Sequence, residues 1–560
     1  MAQGRSCWDV VTEVLSAFGC TTVFGLPSDE PGLLDQAAER TEFDVRVIGD
    51  QRVAACAAAG YAITAGKPAV LALNSGPSFA NAIPGLLECA SLSAPLVVVT
   101  TRVPAENIGR GGFQYLDQQG MAADLVTWRY VVDDPSNLAW AVGRAVRLAS
   151  AGRGGITLIE LTDEVVRAEI PDSGLPRPVP VSPPAPAPEA LTRAADLAAA
   201  AERPLLVVGG GARGVSPTQL ESLADALGAA VFCTAAGRGV MPESSDRFLG
   251  LVGLYTTPPA GRILEDADLL VIVGSRFEET ARMGWDSWRD IPVVHVDVDD
   301  TAFGESVEPS VPILADAALT VPQLLHELSG RTHPDRTKWA HRQRAVRAEQ
   351  SALTDVGFDR SPTRATLAAL QREIDPISVL VQENGLHDIW SYHYPVTTLR
   401  PGTRVVCPGE QTMMGFGFAA SVGAAIATDE GTVVTVTGDS AFLLNVNVLN
   451  AFREHRLGVV VVILDNQGYG WPRHLRASEQ VDVTLTERRA HPSVTDLATA
   501  FGGWGCDVAD ERQLSSALAK AIRNSAQGIF SLIRVPVHDK DVPVGILNLD
   551  NDSEDTSEES

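Results

Sequence analysis

Residues 432–470 read TVVTVTGDSAFLLNVNVLNAFREHRLGVVVVILDNQGYG, two apolar, β-branched runs around a helix-like segment. The runs 432–437 and 458–464 predict buried strands, and residues 442–455 predict a helix between them. The apolar stripe of that helix would consist of Leu444, Val448, Leu449 and Phe452. Because a strand–helix–strand unit joins two parallel strands of one sheet, the stretch predicts a parallel α/β sheet.

Side chains suited to a metal ion follow both predicted strands. Asp439 ends the first strand and Asn466 the second, at the carboxyl edge where open α/β sheets bind ligands. Mg²⁺ prefers oxygen ligands, which Asp439, Asn466 and the carbonyl of Gly468 would supply, and keeps other positions for water and phosphate oxygens. The small residues Gly438 and Ser440 would let a diphosphate approach the amides at the helix start. The 27-residue spacing from 439 to 466, one complete crossover, favours this site over an ordinary turn with a surface Asp.

Composition limits the classes of function. The 560 residues allow three or four domains, and 45% hydrophobic residues is an ordinary globular composition. A net charge of −26 argues against nucleic acid and against an anionic membrane surface as partners. The seven cysteines form no CxxC pair, and the N-terminus has no signal-peptide apolar block. We therefore expect a cytoplasmic protein with reduced cysteines in its core.

Alternating strand and helix patterns predict three doubly wound parallel-sheet domains. The expected divisions are a first domain over 1–170, a Pro-rich linker over 171–189, a central Rossmann-like domain over 190–330, a connector over 331–375, a third domain over 376–549 and an acidic tail over 550–560. The linker is expected to be extended because its prolines exclude helix and central strand. The connector is charged, and we expect it to be mostly loop with some helix. The tail, DNDSEDTSEES, has no apolar residue and is expected to be disordered.

The opening stretch resembles the thiamine-diphosphate signature, in which GDG is followed after about 27 residues by an Asn-rich end; here Ser440 replaces a Gly and Asp465 the first Asn. Further matching motifs are FGLP (24–27), GDQRVAACAAAGYA (49–62), NSGPSFAN (74–81), FQ (113–114), GLVG (250–253), GSRF (274–277), HVDVD (295–299), GLHDIW (385–390) and MGFG (414–417). Because these motifs follow the family's order over nearly the whole chain, the protein is identified as a member of the acetolactate-synthase-like thiamine-diphosphate enzymes.

The resemblance implies how the cofactor is held. The first domain would bind the pyrimidine end of thiamine diphosphate and the third domain its Mg²⁺–diphosphate end, in a homodimer or homotetramer with the site at the subunit interface. The implied cofactor-binding residues are Pro27, Asn384, Gly385, Leu386, His387, Met414, Gly438, Asp439, Ser440, Ala441, Asn466, Gly468 and Tyr469. Among them Met414 would support the bent cofactor. Phe113, Gln114, Tyr469 and Trp471 would line the substrate pocket.

One expected catalytic residue is replaced. In this family a glutamate bonds the pyrimidine N1′ and drives the cofactor to the imino form that removes the proton from C2. Counting back nine residues from Gly60 of GYA places Gln51 there. An amide cannot act as an acid, so we expect ylide formation to be slower by about 10²–10⁴-fold. The alternative is a one-residue slip that presents Asp50, which the rotation of about 100° per helical residue disfavours.

The missing glutamate leaves two hypotheses. The enzyme is specialised, with an activated substrate or a substrate group that serves as the base, as in the family's glyoxylate carboligase, which also lacks the glutamate. Alternatively, the chain binds cofactor but has lost turnover.

The expected acceptor and flavin sites are also altered. Acetolactate synthases carry an RFDDR-like run whose last arginine faces the second substrate; here RFEETAR (276–282) places Thr280 there, which favours an aldehyde or another acceptor. Arg282 could replace that arginine only if the loop shifts. GGG (209–211) alone is a weak nucleotide signal, but together with GSRF and HVDVD it resembles the flavin-binding middle domain. The family's GMHG is altered to GLYT (253–256), so FAD is left open.

The resemblance implies an enzyme that decarboxylates a 2-oxo acid such as pyruvate and transfers the acyl anion to an acceptor carbonyl. A 2-oxo acid decarboxylase without ligation is one alternative, and a non-catalytic, cofactor-binding regulatory subunit is another. A flavin- or nicotinamide-only oxidoreductase is a third, because three parallel sheets alone permit it.

Overall fold

The computed structural model describes residues 5–170, 174–179, 181–354, 356–374, 377–400, 402–488, 490–538 and 540–543. It contains three six-stranded sheets, and every strand pair in them is parallel. α-Helices join most of the successive strands, which is the usual crossover connection of a parallel sheet. The predicted fold class, three doubly wound α/β units, is confirmed.

The first sheet has the strand order β2-β1-β3-β4-β6-β5. Its strands are β1 (Thr22–Gly25), β2 (Asp44–Val47), β3 (Ala69–Leu73), β4 (Leu96–Thr101), β5 (Trp128–Val132) and β6 (Ile156–Leu161). Its helices are α1 (Cys7–Ala17), α2 (Leu33–Ala38), α3 (Gln51–Ala65), α4 (Pro77–Ser91), α5 (Gln118–Met121), α6 (Leu138–Ser150) and α7 (Asp163–Arg167). The central strands are buried throughout because helices cover both faces of the sheet.

The second sheet has the order β12-β11-β10-β7-β8-β9. Its strands are β7 (Pro204–Val208), β8 (Ala230–Cys233), β9 (Phe248–Leu251), β10 (Leu269–Val273), β11 (Val293–Asp297) and β12 (Val311–Leu314). The helices are α8 (Pro188–Ala200), α9 (Pro217–Leu227), α10 (Pro258–Glu265), α11 (Glu279–Arg282) and α12 (Ala317–Leu328).

The connector differs from the expected loop-rich segment. It is built mainly of two helices, α13 (Thr337–Gln350) and α14 (Pro362–Glu373). Although α13 is highly charged, Trp339 and Val346 lie two turns apart on one side of it and are buried against the central domain. Gln343 and Gln350 are buried as well, and these four residues fix a helix whose opposite side is charged and solvated.

The third sheet has the order β14-β13-β15-β16-β18-β17. Its strands are β13 (Ile377–Gln382), β14 (Arg404–Val406), β15 (Thr432–Gly438), β16 (Val460–Asp465), β17 (Trp504–Asp507) and β18 (Ser531–Pro536). Its helices are α15 (Leu386–Tyr392), α16 (Phe416–Ile426), α17 (Asp439–Leu444), α18 (Val448–Glu454), α19 (Gly470–Ser478), α20 (Val494–Ala500) and α21 (Glu511–Ser525). Strands β15 and β16 are parallel neighbours, which confirms the strand–helix–strand prediction.

The single helix predicted over 442–455 is wrong, since α17 and α18 are separate helices. The chain leaves α17 at Asn445, where φ is −122° and ψ is 32°. The buried Asn445 amide donates to the carbonyl of Gly415 at 2.7 Å and accepts from Arg52 at 2.6 Å. These tertiary hydrogen bonds outweigh the local helical pattern. Leu444, expected on the apolar stripe, is 41% exposed, whereas Val448, Leu449 and Phe452 are buried.

The first and third domains of the chain meet where α3 packs on α16. A Cβ atom at Gly423 of α16 would overlap the carbonyl oxygen of Ala57, and one at Gly60 of α3 would overlap that of Ala420. The two helices therefore touch backbone to backbone, which only residues without a side chain permit. This contact fixes α3, which begins at Gln51, against the third domain.

Gly423→Ala is expected to destabilise the protein by about 1–3 kcal/mol, because the added methyl group must push the two backbones apart. Urea unfolding would measure the loss. Gly261→Ala in α10 is the matched control, since a Cβ there meets nothing within 4 Å and should be neutral or stabilising by up to about 1 kcal/mol. Equal unfolding midpoints for the two variants would contradict the backbone contact.

Other expectations meet the structure in part. All seven cysteines are free, and six of them are buried. Residues 174–179 and 181–187 contain neither helix nor strand, in agreement with an extended linker, whereas the predicted tail over 550–560 lies outside the described residues. The domain limits stay predictions. No helix within the described ranges has the length and apolar character needed to cross a membrane.

Candidate active site

A cavity of about 410 Å³ opens at the carboxyl edge of the third sheet. Twelve of the thirteen predicted cofactor-binding residues line it: Asn384, Gly385, Leu386, His387, Met414, Gly438, Asp439, Ser440, Ala441, Asn466, Gly468 and Tyr469. These residues come from the ends of β13, β15 and β16 and from the loop before α16, which the sheet order brings together. The structure thus gathers the predicted third-domain set into one site, to which we refer as the cofactor cavity.

Three oxygens proposed as metal ligands converge in this cavity. The terminal amide atom of Asn466 that faces them lies 3.0 Å from the carbonyl oxygen of Gly468 and 3.2 Å from Asp439 Oδ1. Neighbouring ligands of an octahedral Mg²⁺ with bonds of about 2.1 Å lie about 3.0 Å apart. When the Asn466 amide is oriented with its oxygen towards Gly468 and Asp439, three oxygens face one another and repel unless a cation lies among them. The opposite amide orientation would join the same atoms by hydrogen bonds. These residues therefore fit a divalent cation.

The surroundings of Asp439 control its charge. Burial, reinforced by the nearby Asp465, raises the pKa of Asp439 to about 6, while Arg488 and His491 act in the opposite direction. Atoms of Asp439, Asp465 and His491 lie within 4.8 Å of one another, a spacing that a metal site also shows. Asp465, however, accepts hydrogen bonds through both oxygens, from Arg534 at 2.6 Å and from the backbone N–H of Gln467 at 2.9 Å, so neither oxygen is free for a cation. The geometry therefore favours Asp439 over Asp465 as the carboxylate that would bind a cation.

Two further side chains in the cofactor cavity have a polar atom without a hydrogen-bond partner among the described residues. These atoms are His387 Nε2 and Asp388 Oδ1, both almost completely buried. Burial lowers the pKa of His387 to about 4, so its imidazole is neutral near pH 7, and burial raises the pKa of Asp388 well above its usual value. Because buried polar atoms normally have partners, these two fit a polar ligand in the cavity.

Comparison with known proteins identifies the family. The chain matches the N-terminal TPP binding domain of thiamine pyrophosphate enzymes over residues 6–121, their central domain over 191–324 and their C-terminal TPP binding domain over 383–535. The chain belongs to the thiamine-pyrophosphate-dependent enzymes. Thiamine pyrophosphate is thiamine diphosphate, so the predicted family and cofactor are confirmed, and the protein is an enzyme that acts on C–C bonds.

Relatives of this thiamine-diphosphate enzyme carry acetolactate synthase names. The probable acetolactate synthase large subunit of Methanocaldococcus jannaschii is 27% identical over 94% of this chain and 92% of its own. The acetolactate synthase large subunit of Parasynechococcus marenigrum is 29% identical, over 91% of this chain and 85% of its own. Isozyme 1 of the Escherichia coli large subunit is 25% identical over 96% and 95%. The enzyme is therefore acetolactate-synthase-like along nearly its whole length.

Two buried glutamates hold the loop that carries Met414. Glu88, on α4 of the first domain, accepts a hydrogen bond from the backbone N–H of Met413 at 2.7 Å. Glu383, after β13, accepts one from the N–H of Gly415 at 2.9 Å. Carboxylates on both sides of Met414 fix the backbone of the residue implied to support the bent cofactor. Sequence reasoning missed both glutamates; the available signal was a carboxylate within an otherwise apolar helix face or directly after an apolar strand.

Gln51 and Asp50 have different surroundings in this thiamine-diphosphate enzyme. Asp50 caps α3, where its Oδ1 accepts the backbone N–H of Arg52 at 2.8 Å. Gln51 is the first helical residue, and its Oε1 accepts from Asn81 Nδ2 at 2.8 Å. Because a capping carboxylate is committed to the helix, the geometry favours Gln51 over Asp50 as the residue that faces a pyrimidine.

The predicted first-domain residues do not reach the cofactor cavity of their own chain. Its described lining includes none of Pro27, Gln51, Phe113 and Gln114. Phe113 is 84% exposed, although its side chain is large and apolar. Within one chain the pyrimidine end and the diphosphate end of the predicted site are therefore separate.

Among the described residues, no Lys or Arg side chain lines the acceptor end of the cavity, where Thr280 lies. Thr280 lines the cavity, and its hydroxyl donates to Glu410. Arg282 lies instead over the Trp288 ring, 5.6 Å from its centre, inside the central domain. In the described part of the chain, neither Lys nor Arg lines the cofactor cavity. The loop shift that Arg282 would need is therefore absent from this structure.

A second cavity of about 430 Å³ lies at the carboxyl edge of the central sheet. Its lining includes Arg153, Arg276 and Asp297, and it shares Tyr255 and Thr280 with the cofactor cavity. Gly210 and Gly211 of the GGG triplet border it, whereas a Cβ at Gly209 would overlap the carbonyl of Gly274. That glycine is therefore required for the close approach of two loops, whatever the cavity holds.

Proposed function

We propose that this enzyme decarboxylates a 2-oxo acid such as pyruvate and transfers the acyl group to an acceptor carbonyl. The observation that carries the proposal is the cofactor cavity, where a set of oxygens suited to Mg²⁺ and the Met414 loop lie beside an apolar, aromatic pocket. Relatives named acetolactate synthase, matched over more than 90% of the chain, support carboligation over other reactions of this cofactor.

The residues of the cofactor cavity would have separate roles in binding the metal, supporting the cofactor and excluding water. Thiamine diphosphate, when bound, would supply the nucleophilic carbon and the electron sink that decarboxylation of a 2-oxo acid needs. Asp439, Asn466 and the Gly468 carbonyl would hold the Mg²⁺ that neutralises the diphosphate. Met414 would support the bent cofactor, while the aromatic walls formed by Trp390 and Trp471 would exclude water from the reacting carbonyl.

A screen of 2-oxo acids, each with and without a panel of aldehydes and 2-oxo acid acceptors, tests the proposal by mass spectrometry. Carboligation products confirm it. Release of the aldehyde alone identifies a decarboxylase without ligation. Stoichiometric cofactor binding without turnover of any 2-oxo acid identifies the non-catalytic regulatory subunit.

We expect the acceptor to lack a carboxylate. The donor loses its carboxylate as CO₂, but a 2-oxo acid acceptor would keep its carboxylate in a cavity whose described lining has no Lys or Arg, and an unpaired buried charge is strongly unfavourable. An aldehyde brings no such charge. In the screen, products from aldehyde acceptors should therefore exceed those from 2-oxo acid acceptors.

Mg²⁺ affinity is expected to fall as the pH drops below about 6. The pKa of Asp439 is raised to about 6, chiefly by burial, and Mg²⁺ binds the carboxylate and not the acid. Each further pH unit should weaken binding about tenfold, with a plateau above the pKa. Calorimetric Mg²⁺ titrations at saturating thiamine diphosphate measure this. The cofactor's own phosphate also titrates, so Asp439→Asn is the control; an identical pH profile in the variant would contradict the assignment.

We propose a homodimer, or a homotetramer built from it, in which a second copy supplies Gln51, Phe113, Gln114 and Pro27 to each cofactor cavity. The separation of the two half-sites within one chain and the exposed Phe113 support this. Sedimentation would give the assembly size. Mixing Asp439→Ala chains with Phe113→Ala chains should restore sites in mixed dimers only if the halves come from different copies.

We propose that the second cavity holds a nucleotide-type ligand, with FAD the first to test. Two arginines for phosphate and an aspartate at the end of β11 for a ribose support it. The visible flavin absorption band of the purified enzyme, before and after incubation with FAD, decides between flavin and another nucleotide.

A further inference from the structure

A short segment outside the predicted motifs runs along the loop that supplies two of the proposed metal ligands. We call residues 484–488 the strap. The backbone N–H of Tyr469 donates to the Thr486 carbonyl at 2.9 Å, and that of Arg488 donates to the Gln467 carbonyl at 2.9 Å. Gly468 forms an antiparallel bridge with Glu487. The strap therefore holds the 466–469 loop through backbone hydrogen bonds and places Arg488 beside the cofactor cavity.

The Arg488 guanidinium contacts the metal-ligand set twice. Its Nη2 donates to the Ser440 hydroxyl at 2.8 Å, and that hydroxyl donates to the Gly468 carbonyl at 2.8 Å. Its Nε lies 3.4 Å from Asp439 Oδ2. One side chain thus contacts Asp439 directly and Gly468 through Ser440.

The two oxygens of Asp439 consequently face different partners. Oδ1 lies towards the Asn466 amide, and Oδ2 lies towards Arg488. A carboxylate that is held through one oxygen loses less rotational freedom when its other oxygen binds a cation. Loss of a residue that holds a metal ligand in this way typically weakens metal affinity by about 10–100-fold. Ser440, which replaces the glycine of the family signature, links Arg488 to the Gly468 carbonyl by two hydrogen bonds.

The positive charge of Arg488 also favours binding of a Mg²⁺–diphosphate group. A lone arginine near Mg²⁺ would repel it, but the complex that enters the cavity carries a diphosphate whose negative charge exceeds that of the metal. Arg488 therefore attracts the Mg²⁺–diphosphate end of the cofactor, while its contact with Asp439 fixes the ligand. The negative charge of the nearby Asp465 is offset in part by its ion pair with Arg534.

We propose that Arg488, acting through Asp439 and Ser440, is a positioning residue that tightens the binding of the Mg²⁺–diphosphate end of the cofactor. This inference rests on the metal site given under the proposed function. The same contact could have the opposite effect: an arginine that competed with the metal for Asp439 would weaken cofactor binding. The sign of the change on its removal separates the two roles.

The test is calorimetric titration of the full-length protein with thiamine diphosphate at saturating Mg²⁺, and with Mg²⁺ at saturating thiamine diphosphate. Arg488→Gln should weaken both by about 10–100-fold. Arg488→Lys should recover part of the loss, because it keeps the charge but cannot contact Asp439 and Ser440 together. Arg512→Gln removes the same charge from a side chain that is 95% exposed and should change neither affinity.

Ser440→Gly tests the pathway of the effect. If Arg488 acts partly through Ser440, the losses in Arg488→Gln and Ser440→Gly should be less than additive in the double variant. Unchanged or tighter binding in Arg488→Gln overturns the inference. Asp439→Ala distinguishes this failure from failure of the metal site itself: if it removes binding while Arg488→Gln does not, only the role of Arg488 is lost.

Discussion

Asp439→Ala is expected to weaken binding of Mg²⁺ with thiamine diphosphate by more than about 100-fold. Asp439 is the only charged member of the proposed ligand set, since Asn466 and Gly468 offer neutral oxygens. Without that charge, Mg²⁺ must be held by two dipoles and the phosphates alone. Calorimetry would give the affinity, and Asp439→Asn, which keeps one oxygen but not the charge, should fall between the wild type and the alanine variant.

The loss should occur without unfolding. The pKa of Asp439 in the fold, about 6, exceeds its unfolded value of 3.8, so the native state gains from the protonated form at low pH and loses that gain as pH rises through 6. Removing the charge by Asp439→Asn should therefore leave the cofactor-free protein at least as stable at pH 7. Exposed Asp246→Asn controls for the loss of one negative charge. Full affinity in Asp439→Ala would contradict the metal site, and a collapsed melting temperature in Asp439→Asn would contradict the burial argument.

Gln51→Glu is expected to accelerate proton exchange at C2 of the bound cofactor by about 10²–10⁴-fold. A glutamic acid can hold and donate the proton that N1′ needs, whereas an amide cannot. The substitution keeps the shape of the side chain, and a carboxylate can accept the same hydrogen bond from Asn81. Deuterium exchange quenched at short times and read by NMR measures the rate directly, without any assumption about substrate.

Asp50→Asn is the matched control for that experiment. Asn also caps helices well, so α3 should persist, and exchange should not change if Gln51 faces the pyrimidine. Slower exchange in Asp50→Asn would show that the register is displaced by one residue. Slower exchange in Gln51→Glu would contradict the mechanism. Faster exchange together with new turnover would indicate that the natural chain has lost activity, whereas faster exchange with loss of a natural reaction would favour a specialised enzyme.

The sequence predicted the strands of the third sheet because β-branched apolar runs between turn residues depend on local preference and burial alone. Its GD and DN pairs stand at strand ends, so parallel pairing of β15 and β16 brought Asp439 and Asn466 to one edge. The twelve predicted residues that line the cofactor cavity were found from short motifs, each of which can be read from neighbouring residues in the chain.

Other features depend on contacts between distant parts of the chain. Periodicity favoured one helix over 442–455, yet Asn445 bonds to Arg52, 393 residues away, and the helix divides. The charged composition of the connector predicted a loop, but Trp339 and Val346 are buried against the central domain, a contact that the local pattern does not indicate.

Local pattern thus determined the three parallel sheets and the residues at their carboxyl edges, because side-chain periodicity and strand ends are set by neighbours in the chain. Only the tertiary structure decided that Arg488 bonds to Ser440, 48 residues earlier, that Glu88 of the first domain holds the Met414 loop of the third, and that Gln51 lies away from the cavity of its own chain. Those contacts arise from the packing of loops and domains, and no period in the sequence encodes them.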